Sequence, residues 1–299
     1  MANLCNIDGV TTAEADARIP VLDRGFLFGD SIYEVVRTHG PVPLAWREHW
    51  ARLEASAAAL GMQLDLTEAT VAGRVAETVA ASGIGDCYVR LVVTRGAGSA
   101  PNIDLAYAPE HPCWVIMVRP RPEIRGQPAK VWLVDRLRND RRALDPATKS
   151  GNYLNNVLGL AEAKANGATD CVMLNAQGHV TEASTSNLFV RSGGVWVTPT
   201  LQSGILAGIT RSLLIDFLQR QGEAVAERDL TGDELLAADE LFLSSTLKDV
   251  SPVTHLNGRA LHGGEAGPAT QRLMPAFAAH LEQRLTEVDG PYWQRLLGR

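Results

Sequence analysis

Lysine is scarce in this chain. Only Lys130, Lys149, Lys164 and Lys248 stand among the 28 basic residues. Lys130 opens a strand and Lys164 lies late on an amphipathic helix, so both are expected in solvent. Lys149 lies between Pro146 and Gly151, in a loop leading into the helix that carries Tyr153. An amine held there, stripped of water and near other cations, loses its charge and becomes a nucleophile toward carbonyl carbon. A solvent-facing loop lysine fits the same local sequence. Glu182 is the second candidate. Its neighbours Val180 and Ala183 suit a packed sheet, and a buried carboxylate needs a partner. A protonated ring nitrogen would be one; an exposed strand glutamate is the alternative. The following Ala183-Ser184-Thr185-Ser186-Asn187 is small and polar. It would let a planar ligand approach the backbone and offer it donors. In Ser203-Gly204-Ile205-Leu206-Ala207-Gly208-Ile209-Thr210-Arg211 a glycine-flanked loop opens a helix. Free N–H groups there, with the Thr210 hydroxyl, suit a phosphate, and Arg52 could add charge. An ordinary helix start and a surface arginine read equally well.

The elements that must position these groups follow from periodicity. Ile32 to Thr38 is a strand, His39-Gly40-Pro41 a turn, and a short strand returns. Trp50, Leu53, Ala57 and Leu60 fall at helical spacing within 46–60, which Gly61 ends. A second helix fits 67–81. Residues 87–94, 113–118 and 129–134 read as strands, with a loop over 95–112. Residues 151–165 read as a helix carrying Tyr153, Val157, Leu160 and Ala161 on one face. Cys171–Leu174 and His179–Ala183 form a hairpin, as do Leu188–Val190 and Val195–Val197 about Gly193-Gly194. Residues 209–221 form a helix, and 240–243 a strand running into Ser244-Ser245-Thr246. Pro120, Pro122 and Gly126 between apolar strands predict a linker. The expected organisation is a small domain over 1–120, a linker over 121–127 and a larger domain over 128–299, each α+β.

The 299 residues suffice for two cores. A net charge of -6 and the lack of a basic run argue against nucleic acid or an anionic membrane as partner. Cys5, Cys87, Cys113 and Cys171 form no CxxC pair, so neither a zinc site nor a disulfide framework is expected. No signal peptide or membrane span is read, and a cytoplasmic location is the default.

Taken together the motifs resemble the fold-type IV pyridoxal 5′-phosphate aminotransferases, the class of branched-chain and D-amino acid transaminases. The matching segments run in the family's order: Leu22-Asp23-Arg24-Gly25-Phe26 with Gly29-Asp30, Tyr33-Glu34-Val35-Val36-Arg37, His49-Trp50-Ala51-Arg52-Leu53 and Val93-Thr94-Arg95-Gly96. They continue through Lys149-Ser150-Gly151-Asn152-Tyr153-Leu154, Thr181 to Phe189, Leu206 to Arg211 and Ser244-Ser245-Thr246. The resemblance implies a small N-terminal α/β domain and a larger C-terminal domain with a pseudo-barrel. It implies that Lys149 anchors the cofactor as a Schiff base and shuttles a proton between Cα and C4′. Glu182 would face the pyridine nitrogen. Arg52, Ile209, Thr210 and Thr246 would hold the phosphate. Tyr153 would bond the ring oxygen, and Leu206 would pack on the ring. Thr185, Ser186, Asn187, Gly208 and Ser245 would complete the cofactor site.

The same resemblance implies substrate contacts at Phe28, Tyr33, Arg37, Tyr88, Arg90, Thr246 and Leu247. Its substrate signals divide. Gly151-Asn152-Tyr153-Leu154 and Tyr88-Val89-Arg90 look like branched-chain enzymes, the arginine accepting a dicarboxylate. Tyr33 to Arg37 is closer to D-amino acid transaminases. Their Arg-x-His carboxylate trap, however, is missing from Ala97-Gly98-Ser99-Ala100-Pro101-Asn102. The expected reaction moves an amino group from a hydrophobic L-amino acid to 2-oxoglutarate. D-amino acids or (R)-amines are the alternative, and aminodeoxychorismate lyase or a vitamin-B6 binder without turnover are the rivals. The family is normally a homodimer, which would place Phe28 and the 95–105 loop across the interface.

Overall fold

Two residues start the fold. Asp8 and Gly9 both take positive φ, 50° and 94°, as a two-residue hairpin turn requires. Leu4–Ile7 (β1) therefore folds back on Val10–Ala13 (β2). The sequence reading above does not anticipate this hairpin. Arg24–Phe28 forms a short helix (α1). Ser31–His39 (β3), Val42–Pro43 (β4), Cys87–Thr94 (β5) and Cys113–Pro120 (β6) complete a six-stranded antiparallel sheet in the order β2-β1-β6-β5-β3-β4. Burial along β5 alternates residue by residue, because successive side chains of a strand point to opposite faces. Cys87, Val89, Leu91 and Val93 join the core with Trp50, Leu53 and Ala57 of Trp46–Ala59 (α2). Val71, Val75 and Val79 of Glu68–Ser82 (α3) pack into the same core. A fully buried side chain such as Leu53 contributes about 1.5–3 kcal/mol.

The computed structural model describes residues 1–298, which divide into two compact units. The first contains Met1–Arg121, Thr148–Asn152 and the chain from Gln283 onward; the second contains Pro122–Ala147 and Tyr153–Glu282. The boundary thus differs from the expected 128–299 domain at two places. Residues 148–152 run beside β3: the Tyr33 N–H donates to the Lys149 carbonyl at 2.9 Å, and the Gly151 N–H to Ser31 at 2.8 Å. Any side chain at Gly151 would put its Cβ 2.3 Å from Ser31 Oγ. The helix Gly290–Leu296 returns because Trp293 packs edge-on against Trp46 at 5.0 Å. Residues 122–127 belong to the second unit, where Arg125 Nε pairs with Asp249 at 2.5 Å and the Gly126 N–H donates to Lys248 O at 3.0 Å.

The second unit holds a mixed nine-stranded sheet. Its strands are Ala129–Leu133 (β7), Asp170–Leu174 (β8), Val180–Ala183 (β9), Asn187–Ser192 (β10), Val195–Thr198 (β11), Val225–Glu227 (β12), Glu240–Ser245 (β13), Asp249–Leu256 (β14) and Arg259–Ala260 (β15). The order is β12-β11-β10-β13-β14-β7-β8-β9, with β15 beside β14. Leu154–Ala165 (α4) and Ile209–Arg220 (α5) belong to this unit. The helix expected over 151–165 begins only at Leu154. It buries Asn156, Gly159 and Ala163, not the predicted face of Tyr153, Val157, Leu160 and Ala161. Gly159 lies against Cys171 and Met173, whose sulfurs would sit 3.2 and 3.3 Å from an added Cβ, and Leu154, Val157 and Leu158 are exposed. No helix among the described residues is long and apolar enough to cross a membrane.

Candidate active site

In the first unit the predicted residues sort by sheet face. Tyr33, Val35 and Arg37 of β3 stand opposite Val92, Arg90 and Tyr88 of β5. Four of the candidate substrate residues therefore share one face. The Arg90 guanidinium lies 4.0 Å from the centre of the Tyr33 ring, and Lys149 Nζ lies 4.3 Å from it. The other face carries Glu34, fully buried against α2. Arg52 grips its carboxylate with two bonds of 2.7 Å, and His49 Nδ1 lies 2.7 Å from it. His49, Arg52 and Ser56 are spaced three and four residues apart, so they share a stripe of α2. Ser56 Oγ accepts the Lys149 N–H at 3.1 Å. Glu34 and His49 lie in the matching motifs without a role assigned to them, and Ser56 is not singled out by the sequence; the i, i+3, i+7 spacing is the available signal.

Burial opposes charge on Glu34, but the Arg52 guanidinium and then His49 outweigh it and hold the carboxyl at about 2. Burial pushes the His49 imidazole below its ordinary value, and the Arg52 and Lys149 cations add to this against the pull of Glu34. The neutral ring therefore donates its Nδ1–H to the carboxylate, which can only accept. Both depressed values destabilise the fold in acid. The unfolded chain binds a proton at His49 as pH falls through 6.5, while the folded chain resists. Glu34 adds a second loss from about 4.5 down to about 2. His49→Gln should flatten the pH dependence of Tm between about pH 7 and pH 5 by a few degrees. Parallel Tm curves for variant and wild type would refute this.

In the second unit Glu182 is a buried carboxylate in β9, the first of the two readings its sequence leaves open, and its protein partners are not anticipated there. The Arg138 guanidinium donates to one oxygen at 2.8 Å; the Leu206 N–H and the Asn187 amide donate to the other at 3.0 and 3.1 Å. Arg138 also reaches Asn156 at 3.1 Å. Nothing in the stretch Asp135-Arg136-Leu137-Arg138 marks which arginine turns inward. The Asn187 amide donates as well to Leu206 O at 2.9 Å. This closeness explains Gly208, where a Cβ would sit 1.8 Å from Asn187 Oδ1. α5 starts at Ile209 without a side-chain cap from Gly208, and Thr210 is buried in its first turn. Arg211 ties that turn to Thr198, Pro199 and Glu227.

The remaining candidates are placed as follows. Tyr153 is the N-cap residue of α4. Thr185 is exposed in a bend between β9 and β10, and Ser186 beside it is buried. Ser245 ends β13, and Thr246 and Leu247 form the turn into β14. Phe28 closes α1. Lys149, Tyr33, Arg37, Arg52, Tyr88, Arg90 and Phe28 thus belong to the first unit, and the other candidates to the second.

The second unit can be tested for a polar planar ligand. Ser186 Oγ, Ser244 Oγ and Arg138 Nε are buried with no hydrogen-bond partner among the described residues. Asn187 and Ser244 are direct neighbours across β10 and β13. Orphaned donors of this kind call for a bound group. Together with the carboxylate of Glu182 and the uncapped start of α5, they fit a phosphorylated heterocycle such as pyridoxal phosphate.

Comparison with known proteins agrees. Residues 31–256 match the family described as amino-transferase class IV. A Methanocaldococcus jannaschii protein with a provisional branched-chain-amino-acid aminotransferase name is 35% identical over 91% of this chain and 94% of its own. A D-alanine aminotransferase of Listeria innocua is 33% identical over 92% and 94%. The T.th. branched-chain amino acid aminotransferase, solved in complex with N-(5′-phosphopyridoxyl)-L-glutamate, superposes with a TM-score of 0.87 at 28% identity, covering 95% of each chain. The two-unit α+β architecture, the ordered motifs and these similarities agree, and the chain belongs to the class IV amino-transferases, the pyridoxal phosphate enzymes that its motifs resemble.

Proposed function

We propose that this enzyme moves the amino group of a hydrophobic, branched-chain-like amino acid to a 2-oxo acid, with 2-oxoglutarate as the preferred acceptor. The carrying observation is the shared sheet face on which Tyr33, Arg37, Tyr88 and Arg90 stand in register, with Lys149 Nζ beside the Tyr33 ring. Two tyrosine rings suit an apolar donor side chain, and a guanidinium fork suits a second carboxylate. The missing Arg-x-His pair in 97–102 favours this reading over a D-amino acid donor.

When bound, pyridoxal phosphate supplies an electron-withdrawing ring that makes the donor's Cα–H acidic. The chain's own residues do the rest. Lys149 is the covalent anchor through Nζ, and its amine takes the proton from Cα and returns it at C4′. Glu182, oriented by Arg138, Asn187 and the Leu206 N–H, presents a carboxylate to the ring nitrogen. Tyr153 would hydrogen-bond the ring oxygen, Leu206 would pack on the ring, and Thr185 and Ser186 would help to hold the cofactor. Arg52, the N–H groups of Ile209 and Thr210, and Ser245 with Thr246 are the residues that would hold the phosphate. The Thr246–Leu247 turn takes the donor's α-carboxylate, and Phe28 limits its side chain.

A half-reaction tests this. The cofactor's visible band should bleach when L-leucine alone is added and return with 2-oxoglutarate. A lyase would release pyruvate with no acceptor present, and a mere binder would transfer no amine; either result would end the proposal. Bleaching by D-alanine but not L-leucine would assign the alternative donor. Arg90→Met should raise KM for 2-oxoglutarate roughly 10- to 100-fold and leave KM for pyruvate nearly unchanged. Equal effects on both acceptors would remove Arg90 from this role.

We further infer a homodimer. Leu154, Val157 and Leu158 of α4 in one unit, and Phe26, Ile103 and Leu105 in the other, are large exposed apolar residues, and such surface marks interfaces. Light scattering should give twice the chain mass. The buried free thiols Cys5, Cys87 and Cys171 support a reducing, cytoplasmic location.

A further inference from the structure

Arg24 is almost entirely buried, yet it is neither a cofactor nor a substrate candidate above. Both terminal nitrogens of its guanidinium donate to a single loop. Nη1 donates to Asn102 O at 2.7 Å and to Asp104 O at 3.4 Å, and Nη2 donates to Ile103 O at 2.9 Å. Nε donates to Asp30 at 3.0 Å, and the same carboxylate oxygen accepts Arg95 Nε at 2.7 Å. Arg95 in turn reaches Leu60 O at 2.8 Å, at the end of α2. The flat face of Arg24 lies 5.1 Å from the centre of the Phe28 ring.

The neighbouring backbone repeats the theme. The Arg24 N–H donates to Gly96 O at 2.9 Å, and the Gly98 N–H to Leu22 O at 3.0 Å. Asp23 caps α1 through the Gly25 and Phe26 N–H groups and accepts the Thr94 hydroxyl at 2.7 Å. Gly25 has no room for a side chain, because Thr94 Cγ2 would lie 2.6 Å from its Cβ. Inside the loop the Ser99 N–H donates to Tyr107 O at 3.0 Å. The result is a connection between β5 and β6 whose outer turn is held to α1 through one cation, while its tip presents Ile103, Leu105 and Tyr107 outward. Three consecutive carbonyls aimed at one point need a donor with a planar fork; an ammonium can satisfy them only in part.

We propose that Arg24 is the positioning residue for donor selection: one buried guanidinium fixes both the Phe28 ring and the 102–104 turn, so that the loop 97–108 keeps a single shape. It rests on the donor reading given above, in which Phe28 bounds the amino acid side chain. Arg24 touches neither the lysine nor the reacting atoms, so it governs which donor binds rather than how fast the bound donor reacts.

The test uses the intact cofactor-loaded enzyme with Arg24→Met and Arg24→Lys. Chymotrypsin should cut after Tyr107, which lies outside the 95–105 stretch assigned to the dimer interface, at least about tenfold faster in Arg24→Met than in wild type, with Arg24→Lys between them. For L-leucine, KM should rise about tenfold in Arg24→Met with kcat within about threefold, and the preference for leucine over alanine should shrink by a similar factor. Should Arg24→Met fail to fold, the lysine variant carries the same comparison, because it keeps the charge and loses the fork. Equal cleavage rates would overturn the latch whatever the substrate proves to be. Faster cleavage with an unchanged donor ranking would overturn the role in selection. Because cleavage needs no substrate, it still decides the latch if no amine transfer is found, an outcome that would instead defeat the transaminase reading.

Discussion

Lys149→Ala should give a folded protein that transfers no amino group. The segment around this residue is held by its backbone, through the Tyr33 N–H, Ser56 Oγ and the Gly151–Ser31 bond. Those bonds survive truncation of the side chain, so Tm should change by no more than about 2 °C. The amine itself has no substitute. Lys130 and Lys164 are exposed in the second unit, and Lys248 is paired with Asp170 at 3.0 Å. Losing both the covalent anchor and the base should lower kcat/KM by at least about four orders of magnitude. Steady-state rates and a melting curve check the two halves of this expectation. Borohydride reduction of the wild type with pyridoxal phosphate should leave the added mass on the peptide bearing residue 149. Mass on another peptide, or turnover in the alanine variant, would remove Lys149 from the centre of the reaction.

Glu182→Gln should fail in two separable ways. The amide keeps the shape of the carboxylate but leaves the buried Arg138 without its anion. Removing one partner of a buried ion pair costs about 3–5 kcal/mol, or roughly 10 °C in the melting of this unit. Turnover should fall by about 10²–10³, since the ring nitrogen would no longer face a negative charge. Arg138→Met should lose stability by a similar amount, through an unpaired Glu182. The double variant, Glu182→Gln with Arg138→Met, should recover much of the lost stability without recovering activity, because two uncharged groups replace the pair. Tm and kcat measured across the four proteins decide it. Strictly additive losses in Tm would mean that the two residues are not energetically coupled.

How much of the molecule is legible in its sequence depends on the distance over which each signal acts. β5 and α2 emerge from local periodicity, because one buried face fixes the pattern along the element; the β8–β9 hairpin emerges from two short runs about the Asn175-Ala176-Gln177-Gly178 turn. The burial of Glu182 is only half legible: Val180 and Ala183 suit a packed sheet, but an exposed strand glutamate fits the same residues, and all four positions of β9 are buried. Asp249–Leu256 does not read as a strand, since it is buried at almost every position and Asp249, Ser251, Pro252, Thr254 and His255 break any apolar run. The Asp8-Gly9 hairpin carries its signal in that dipeptide alone, with only short strands on either side to support it. The partners of the candidate residues are the least legible. Arg138 meets Glu182 across 44 residues of sequence, and Arg24 meets the 102–104 turn across 78 to 80. No spacing rule spans such gaps; they are set by strand order and loop closure. Lys149 itself stands out by residue scarcity and motif, but its backbone pairing with β3 depends on Gly151, whose absent side chain gives no periodic signal.

The route of the polypeptide has a consequence for recombination. The chain crosses from one unit to the other after Arg121, Ala147, Asn152 and Glu282. Neither unit is a contiguous gene segment, and the lysine travels on a short excursion, residues 148–152, flanked on both sides by the other unit. A chimera made with a relative by a single crossover near residue 122 would pair one parent's β3 with the other parent's lysine segment, and one parent's α2 with the other parent's final helix. Functional exchange of the first unit therefore requires transplanting 148–152 and the tail from 283 together with it, and libraries built from single crossovers should yield active hybrids only when those short pieces come from the same parent.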